Sequence, residues 1–197
     1  MKQRFYGLVL AFLMLNVPSC TPTNVSLSSI AAEPVADISV AGPYFDKAAM
    51  EPIRQMILSA KEDVVIEMYG FTNYRPIIDA IKNCVKRGLR VRIIVDNQDS
   101  NNPNKYNKRK ELVGFPEKEL EFNNCEVRWE NSGKTFHRKI CVVDKKIFSW
   151  GSTNWTENGF LQNYEDDLII TNADLACKIY AQFELDWPKM SPRFNRK

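Results

Sequence analysis

Apolar residues recur at intervals of three and four in three segments of the chain. This spacing predicts one helix over residues 47–61 with Asp46 as its N-cap, and a second helix that begins at Pro76 and ends before Gly88. A third helix is predicted over residues 173–187. In each segment the apolar positions share one face, so each helix is expected to pack against a larger hydrophobic surface.

Shorter apolar runs between these helices predict β-strands. The predicted strands are residues 63–69, 90–95, 125–129, 139–143, 147–150 and 167–171. The first two of them flank the helix at Pro76, which is the pattern of a right-handed parallel crossover. The alternation predicts an α/β domain with a mixed, largely parallel β-sheet and helices on both faces.

The first 40 residues do not share this pattern. Residues 1–19 combine a short basic start with an apolar run, which predicts a signal peptide. Val17-Pro18-Ser19-Cys20 resembles a bacterial lipobox, so Cys20 is a candidate for lipidation and a membrane tether. An ordinary signal peptide cut between Cys20 and Ala32, or an uncleaved anchor, are the alternatives.

A composition rich in Ser, Thr, Pro, Ala and Val over residues 20–40 predicts a flexible tether before a folded domain at residues 41–190. We therefore expect an exported protein that is periplasmic or lipid-anchored to a bacterial membrane.

The overall charge gives little information about partners. The 197 residues include 44% apolar and 26% charged residues, as in an ordinary globular domain, and the formal net charge is +3. Loss of residues 1–19 removes Lys2 and Arg4 and no acid, which leaves +1. Attraction to a polyanion would therefore require a local cluster. The polar segment 97–110 offers one, in which the candidate nucleic-acid contacts are Lys105, Lys108, Arg109 and Lys110. A solvated surface is the alternative for these residues.

The cysteines do not form a metal-binding pattern. No CxxC pair occurs among Cys84, Cys125, Cys141 and Cys177, and the chain has one histidine. Buried thiols are the favoured interpretation, with one or two disulfides as the alternative. We expect no metal and no cofactor.

The single histidine opens the run from which we predict chemistry. On a strand, His137 and Lys139 project from the same face, and Ser152 and Asn154 follow the next strand. An imidazole is a good nucleophile toward phosphorus, while the ammonium, hydroxyl and carboxamide are suited to bind a phosphate. Glu165 is the candidate acceptor that orients the imidazole.

A leaving alkoxide needs a proton from a general acid. Since the chain has no second histidine, we expect His137 of a partner subunit to supply it. Two copies that meet in this way would form a symmetric homodimer.

The pattern His137-x-Lys139-x4-Asp144-x6-Gly151-Ser152-x-Asn154 resembles the HKD signature of the phospholipase D superfamily. More closely, residues 38–187 resemble its small single-motif bacterial endonucleases, which are exported, dimeric and metal-independent. The resemblance implies that His137 forms a phosphohistidine, that Lys139 and Asn154 bind phosphate and that Glu165 orients the imidazole.

Asp144 belongs to the catalytic signature, although in such families this Asp tends to hold the fold. The polar insert at residues 97–124 departs from the pattern.

These features predict a metal-independent phosphodiesterase, an endonuclease that acts on DNA or RNA. A phospholipase D or cardiolipin hydrolase is the first alternative. A non-catalytic nucleic-acid-binding dimer is the second.

Overall fold

A seven-stranded β-sheet organises the part of the chain that the computed structural model describes, which is residues 37–98, 101–106, 110, 113–120 and 125–194. The strands are β1 (Ser39–Phe45), β2 (Asp63–Met68), β3 (Arg90–Asp96), β4 (Cys125–Glu130), β5 (Lys139–Val143), β6 (Ile147–Gly151) and β7 (Asp166–Thr171). The helices are α1 (Met50–Leu58), α2 (Arg75–Lys86), α3 (Glu117–Leu120), α4 (Glu157–Leu161) and α5 (Ala173–Asp186). A 3-10 turn, Asp46–Ala49, precedes α1, and another, Trp187–Lys189, follows α5.

The strand order is β1-β7-β6-β5-β2-β3-β4. Among the described strands, β2–β3 and β3–β4 pair in parallel, and the other four neighbouring pairs are antiparallel. The expectation of a largely parallel sheet is therefore wrong, although the sheet is mixed as predicted. The crossover that suggested it is real for β2-α2-β3, but β5 and β6 are joined by a tight turn, which makes them antiparallel neighbours.

Helices cover both faces of the sheet, as predicted. Alternate residues of β2 point to opposite sides, so that Val64 and Ile66 join the core beneath α1 and α2, while Val65 joins the core beneath α5. At the end of α2, Gly88 has a φ of 82°, and the amides of Gly88 and Leu89 donate to the carbonyls of Val85 and Cys84. This Schellman arrangement confirms Gly88 as the predicted stop.

The N-terminal part of the domain differs from the prediction. β1 begins at Ser39, inside the segment predicted to be a tether. The sequence did not predict this strand, because an almost fully exposed strand carries no apolar alternation. Asp46 does not cap α1; its Oδ1 accepts a hydrogen bond from the amide of Glu165, and its φ is 52°. Residues 1–19 and the lipidation candidate Cys20 lie outside the described residues.

The cysteine alternatives are decided residue by residue. Cys84, Cys125 and Cys141 are free thiols, as favoured from the sequence. Cys177 is instead disulfide-bonded, which corrects the prediction of a buried thiol. Its side chain is half-buried on α5, because the buried face of that helix is formed by Ala176, Tyr180 and Phe183.

Candidate active site

Four strand ends that carry the candidate residues meet at one end of the sheet. β5 is antiparallel to β2 and to β6, and β6 is antiparallel to β7. The carboxyl ends of β2 and β6 therefore lie beside the amino ends of β5 and β7. We call this the site end of the sheet, and the opposite end, where β5 turns into β6, the far end.

His137 and Lys139 lie together at the site end. His137 is exposed in the extended segment before β5, and Lys139 is the first residue of β5 and 8% exposed. Lys139 Nζ lies 3.4 Å from His137 Nδ1 and donates to the backbone oxygen of His137 at 3.1 Å. Burial lowers the pKa of Lys139, and the charge of Glu165 opposes that effect. The structure thus places an accessible imidazole beside a buried ammonium group, as the spacing predicts.

Tyr69 completes this contact and was not predicted as a site residue. Its ring centroid is 4.4 Å from that of His137, and Lys139 Nζ lies 4.9 Å from the same ring centroid. The Tyr69 amide also donates to the carbonyl of Arg138 at 2.8 Å. An aromatic face stabilises a nearby cation and restricts the orientation of a ring packed on it. The available signal was its position directly after a buried strand.

Asn154 presents a hydrogen-bond donor at the site end. Its Oδ1 accepts from the amide of Gly70 at 3.0 Å, which identifies the oxygen of the carboxamide and leaves the NH2 group as the donor. A side chain at Gly70 would press on Asn154, since a Cβ there would lie 3.0 Å from its Oδ1. This geometry is compatible with the predicted role of Asn154 as a phosphate ligand.

Ser152 and Glu165 form a pair. Ser152 Oγ donates to Glu165 Oε2 and accepts from the amide of Asp166 at 3.1 Å. Asn163 Nδ2 donates to Glu165 Oε1 at 2.9 Å. In the described ranges no hydrogen bond joins Glu165 to His137. Glu165 therefore contacts Ser152 directly and interacts with Lys139 through its charge. Its role in orienting the imidazole stays a prediction.

Gly151 is required by the packing of β6 on β7. A Cβ at this position would collide with the Asp167 carboxylate and with the backbone oxygen of Asp166. Thr153 Oγ1 donates to the same Asp167 carboxylate, which is 3% exposed. The glycine of the motif thus allows β7 to approach β6 closely.

The two aspartates at the start of β7 do not point to one site. Asp166 is exposed and Asp167 is buried, because consecutive strand residues face opposite sides of the sheet. Burial raises the pKa of Asp167, and its bond from Thr153 opposes that effect. Across the described ranges, no group of three or more His, Cys, Asp or Glu side chains converges as metal ligands do.

Asp144 lies at the far end and not at the site. Its carboxylate accepts from the backbone amides of Lys61, Glu62 and Asp63 at 2.9, 2.8 and 3.1 Å. Asp144 and Lys145 have φ values of 52° and 53°, as the two central residues of a type I′ hairpin do. The inclusion of Asp144 among the catalytic residues is therefore corrected: it shapes the β5–β6 turn and caps the start of β2.

Part of the polar insert supports the site. Asn101 is fully buried; its Oδ1 accepts from the amide of Phe71, and its Nδ2 donates to the backbone oxygens of Tyr69 and Asp96. This side chain, which sequence reasoning did not single out, holds the loop after β2 in place. Among the candidate nucleic-acid contacts, Lys105 and Lys110 are exposed. Lys108 and Arg109 lie outside the described residues.

Curated relatives share most of the domain. The "Probable cardiolipin synthase YwiE" of Bacillus subtilis is 27% identical over 161 residues, which is 80% of this chain and 31% of that protein. The mitochondrial cardiolipin hydrolase of Mus musculus is 24% identical over 146 residues, 74% of this chain and 61% of that protein. The chain thus spans less than two thirds of the length of these relatives.

Two solved structures share the fold over nearly their whole length. NucT from Helicobacter pylori has a TM-score of 0.63 at 23% identity, covering 79% of this chain and 99% of that one. The phospholipase D family member Nuc from Salmonella typhimurium has a TM-score of 0.64 at 23% identity, covering 82% of this chain and 100% of that one. None of the helices in the described residues has both the length and the apolar character needed to cross a bilayer.

A family model described as "Cardiolipin synthase, PLD-like domain" matches residues 53–187, which include the whole motif and both ends of the sheet. The match covers well over half of the chain. With the imidazole, ammonium and carboxamide groups assembled at the site end, this shows that the chain belongs to the phospholipase D superfamily of phosphodiesterases.

Proposed function

We propose that this protein is an exported, metal-independent endonuclease that hydrolyses DNA or RNA through a covalent phosphohistidine, at a site shared by two subunits. The observation that carries the proposal is the exposed imidazole of His137 held against the buried ammonium group of Lys139. An imidazole nitrogen of His137 attacks phosphorus, and the bond from phosphorus to the leaving oxygen breaks. Lys139 and the NH2 group of Asn154 bind the non-bridging oxygens as their charge increases.

The leaving oxygen requires a proton, and the water that later cleaves the phosphorus–nitrogen bond must lose one. In our proposal, His137 of the partner subunit performs both transfers, because the chain supplies one imidazole. Large exposed apolar side chains support a partner surface around the site end. Trp150 at the end of β6 is 52% exposed, Phe45 is 60% exposed and Tyr164 is 98% exposed.

A nucleic-acid substrate is favoured by the size of the domain. The chain covers 99% and 100% of the small proteins NucT and Nuc, but 31% of the probable cardiolipin synthase. Exposed Lys105 and Lys110 add local positive charge in the insert. Cardiolipin hydrolysis is the second candidate, because the chain is similar to the mitochondrial cardiolipin hydrolases over three quarters of its length.

The deciding experiment compares substrates in the presence of EDTA. We expect wild-type protein to nick plasmid DNA or cleave RNA, to leave cardiolipin and phosphatidylcholine intact, and to lose activity on His137→Ala substitution. Activity on cardiolipin alone would favour the second candidate, and loss of nuclease activity in EDTA would contradict the metal-free mechanism. A biological function that survives His137→Ala would favour a non-catalytic nucleic-acid-binding dimer.

Export and shared catalysis have their own tests. If Cys20 is lipidated, cell fractionation should find the wild-type protein bound to the membrane and the Cys20→Ala variant released from it. Sedimentation should show dimers, and a fully active monomer would contradict the shared site.

A further inference from the structure

A cluster of charged side chains lies on the face of the sheet opposite Lys139. Arg138 Nη1 donates to Glu67 Oε1 at 2.6 Å and to Asp186 Oδ2 at 2.9 Å. Glu67 is on β2 and 2% exposed, and Asp186 is in the last turn of α5 and 8% exposed. The guanidinium group therefore connects the segment that carries His137 to a buried strand and to the helix beneath it.

The backbone around His137 is held by side chains as well as by strand pairing. Pairing of β5 with β2 begins at Lys139, so His137 and Arg138 precede the regular hydrogen-bond ladder. The Arg138 carbonyl accepts from the Tyr69 amide at 2.8 Å, and the Phe136 amide donates to Asp96 Oδ2 at 2.6 Å. Side-chain anchors consequently contribute much of the definition of this segment.

Breaking the contacts of Arg138 is energetically unfavourable. Glu67 is buried, and burial raises its pKa to about 7, with Arg138 partly opposing that effect. Arg138 is half-buried, with 36% of its side chain exposed, whereas Glu67 is buried. Removal of Arg138 leaves the Glu67 carboxyl without its partner, so the surrounding structure must shift or admit water. The guanidinium also lies over the Phe136 ring, 5.1 Å from its centroid. Any such shift would be transmitted to the residues on either side of Arg138.

We infer that Arg138 is a positioning residue: its guanidinium, held between Glu67 and Asp186, fixes the backbone from which the His137 imidazole and the Lys139 ammonium project toward the substrate phosphate. The inference rests on the proposed function for its catalytic consequence. Arg138 itself faces away from the reacting groups and acts through its neighbours. Displacement of a catalytic group by about 1 Å can lower a rate by about 100-fold.

Arg92 provides a matched control. It is 2% exposed on β3, and it binds α5 through Glu184 and Tyr180, at 2.5 and 2.7 Å. Like Arg138, it joins the sheet to α5 through charge-assisted hydrogen bonds. It lies two strands away from β5, and its strand neighbours carry no group of the site.

The experiment compares Arg138→Met with Arg92→Met in untagged protein labelled with 15N-histidine. Since the chain has one histidine, the imidazole signals report on His137 alone. We expect Arg138→Met to shift or broaden these signals and to lower kcat by roughly 10- to 100-fold with KM changed less than about 3-fold. Arg92→Met should lower the melting temperature but leave the signals and kcat of the folded protein nearly unchanged.

Further variants keep the inference testable if Arg138→Met does not fold. Arg138→Lys retains the charge but not the planar fork, and should recover part of kcat. Asp186→Asn weakens one of the two partners, and should give a smaller change of the same kind.

The outcomes separate this inference from the proposed function. Loss of activity in His137→Ala, together with full kcat and unaltered histidine signals in Arg138→Met, would overturn the inference and leave the function intact. Equal losses of kcat in the two Arg→Met variants would also overturn it. If wild type cleaves no phosphodiester, the proposed function fails, and the histidine signals alone decide whether Arg138 positions His137.

Discussion

Residues of the same sequence motif differ in hydrogen bonding and exposure at the two ends of the sheet. At the far end, Asp144 is saturated by three backbone amides, and the hydroxyl of Tyr180 joins Asp63 to the buried Arg92. At the site end, His137 remains exposed, and Asn154 uses its Oδ1 on the Gly70 amide and keeps its NH2 group as a donor. A motif defined by spacing therefore contains residues for two separate tasks.

The difference follows from what each end must do. Polar groups that stabilise a fold satisfy one another, because an unpaired buried donor or acceptor costs about 1–3 kcal/mol. Groups that bind a substrate must keep hydrogen-bonding capacity for it. The surrounding fold must offset the free-energy cost of leaving these groups unpaired. Substitutions of the paired polar groups at the far end should therefore affect stability, and substitutions of the exposed groups at the site end should affect catalysis.

The largest effect is expected for His137→Ala. Loss of the nucleophile should lower kcat by at least about 1000-fold on any phosphodiester substrate. The melting temperature should change little, because the side chain is exposed. Steady-state kinetics and a thermal scan of the same preparation measure both quantities. Substantial residual turnover by the variant would show that the reaction does not pass through a phosphohistidine.

The next effect concerns pH and Glu67, which lies beneath the site end. Because its folded pKa of about 7 is above the ordinary 4.5, the folded state binds this proton more tightly than the unfolded chain does. The resulting stabilisation is complete below pH 4.5 and is lost as the pH rises through about 7, a loss of ~3 kcal/mol from this group. Denaturant unfolding at pH 5 and pH 8 should show that Glu67→Gln removes this loss.

Glu126→Gln is the matched control for that experiment. Glu126 forms an exposed ion pair with Arg90, so its substitution should leave the dependence of stability on pH unchanged. The same dependence in wild type and Glu67→Gln would refute the assignment.

At the far end, Asp144→Ala should destabilise the protein by about 2 kcal/mol, because three backbone amides lose their acceptor and an alanine replaces a residue suited to positive φ. Denaturant titration gives the free energy of unfolding. The folded variant should keep kcat within about 3-fold of wild type, and Asp144→Asn should lose less stability. A large fall in kcat without loss of stability would return Asp144 to the catalytic residues.

The smallest effect is expected for the polar insert. If Lys105 contacts nucleic-acid backbone, Lys105→Ala should raise KM by about 2- to 3-fold and lower the salt dependence of binding by about one charge. Lys178→Ala, an exposed lysine of α5, is the control. Equal salt dependence in both variants would show that Lys105 belongs to the solvated surface.

The amino-acid sequence alone predicts most of the elements. The α2 helix, its stop at Gly88 and the β5–β6 hairpin follow from apolar spacing and turn chemistry, which act between near neighbours. The pairing of His137 with Lys139 follows from strand alternation in the same way. The exposed strand β1 was missed because its residues show no alternation.

The tertiary structure alone decided the direction in which β5 pairs with β2 and which residues occupy each end of the sheet. β2 and β5 are about 70 residues apart in the chain, and local pattern carries no information on such a pairing. The same long-range pairing brings Glu67 beneath Arg138 and gives Asp144 its three amides. These roles depend on contacts between distant segments, whereas spacing along the chain gives information only about residues that are close in sequence.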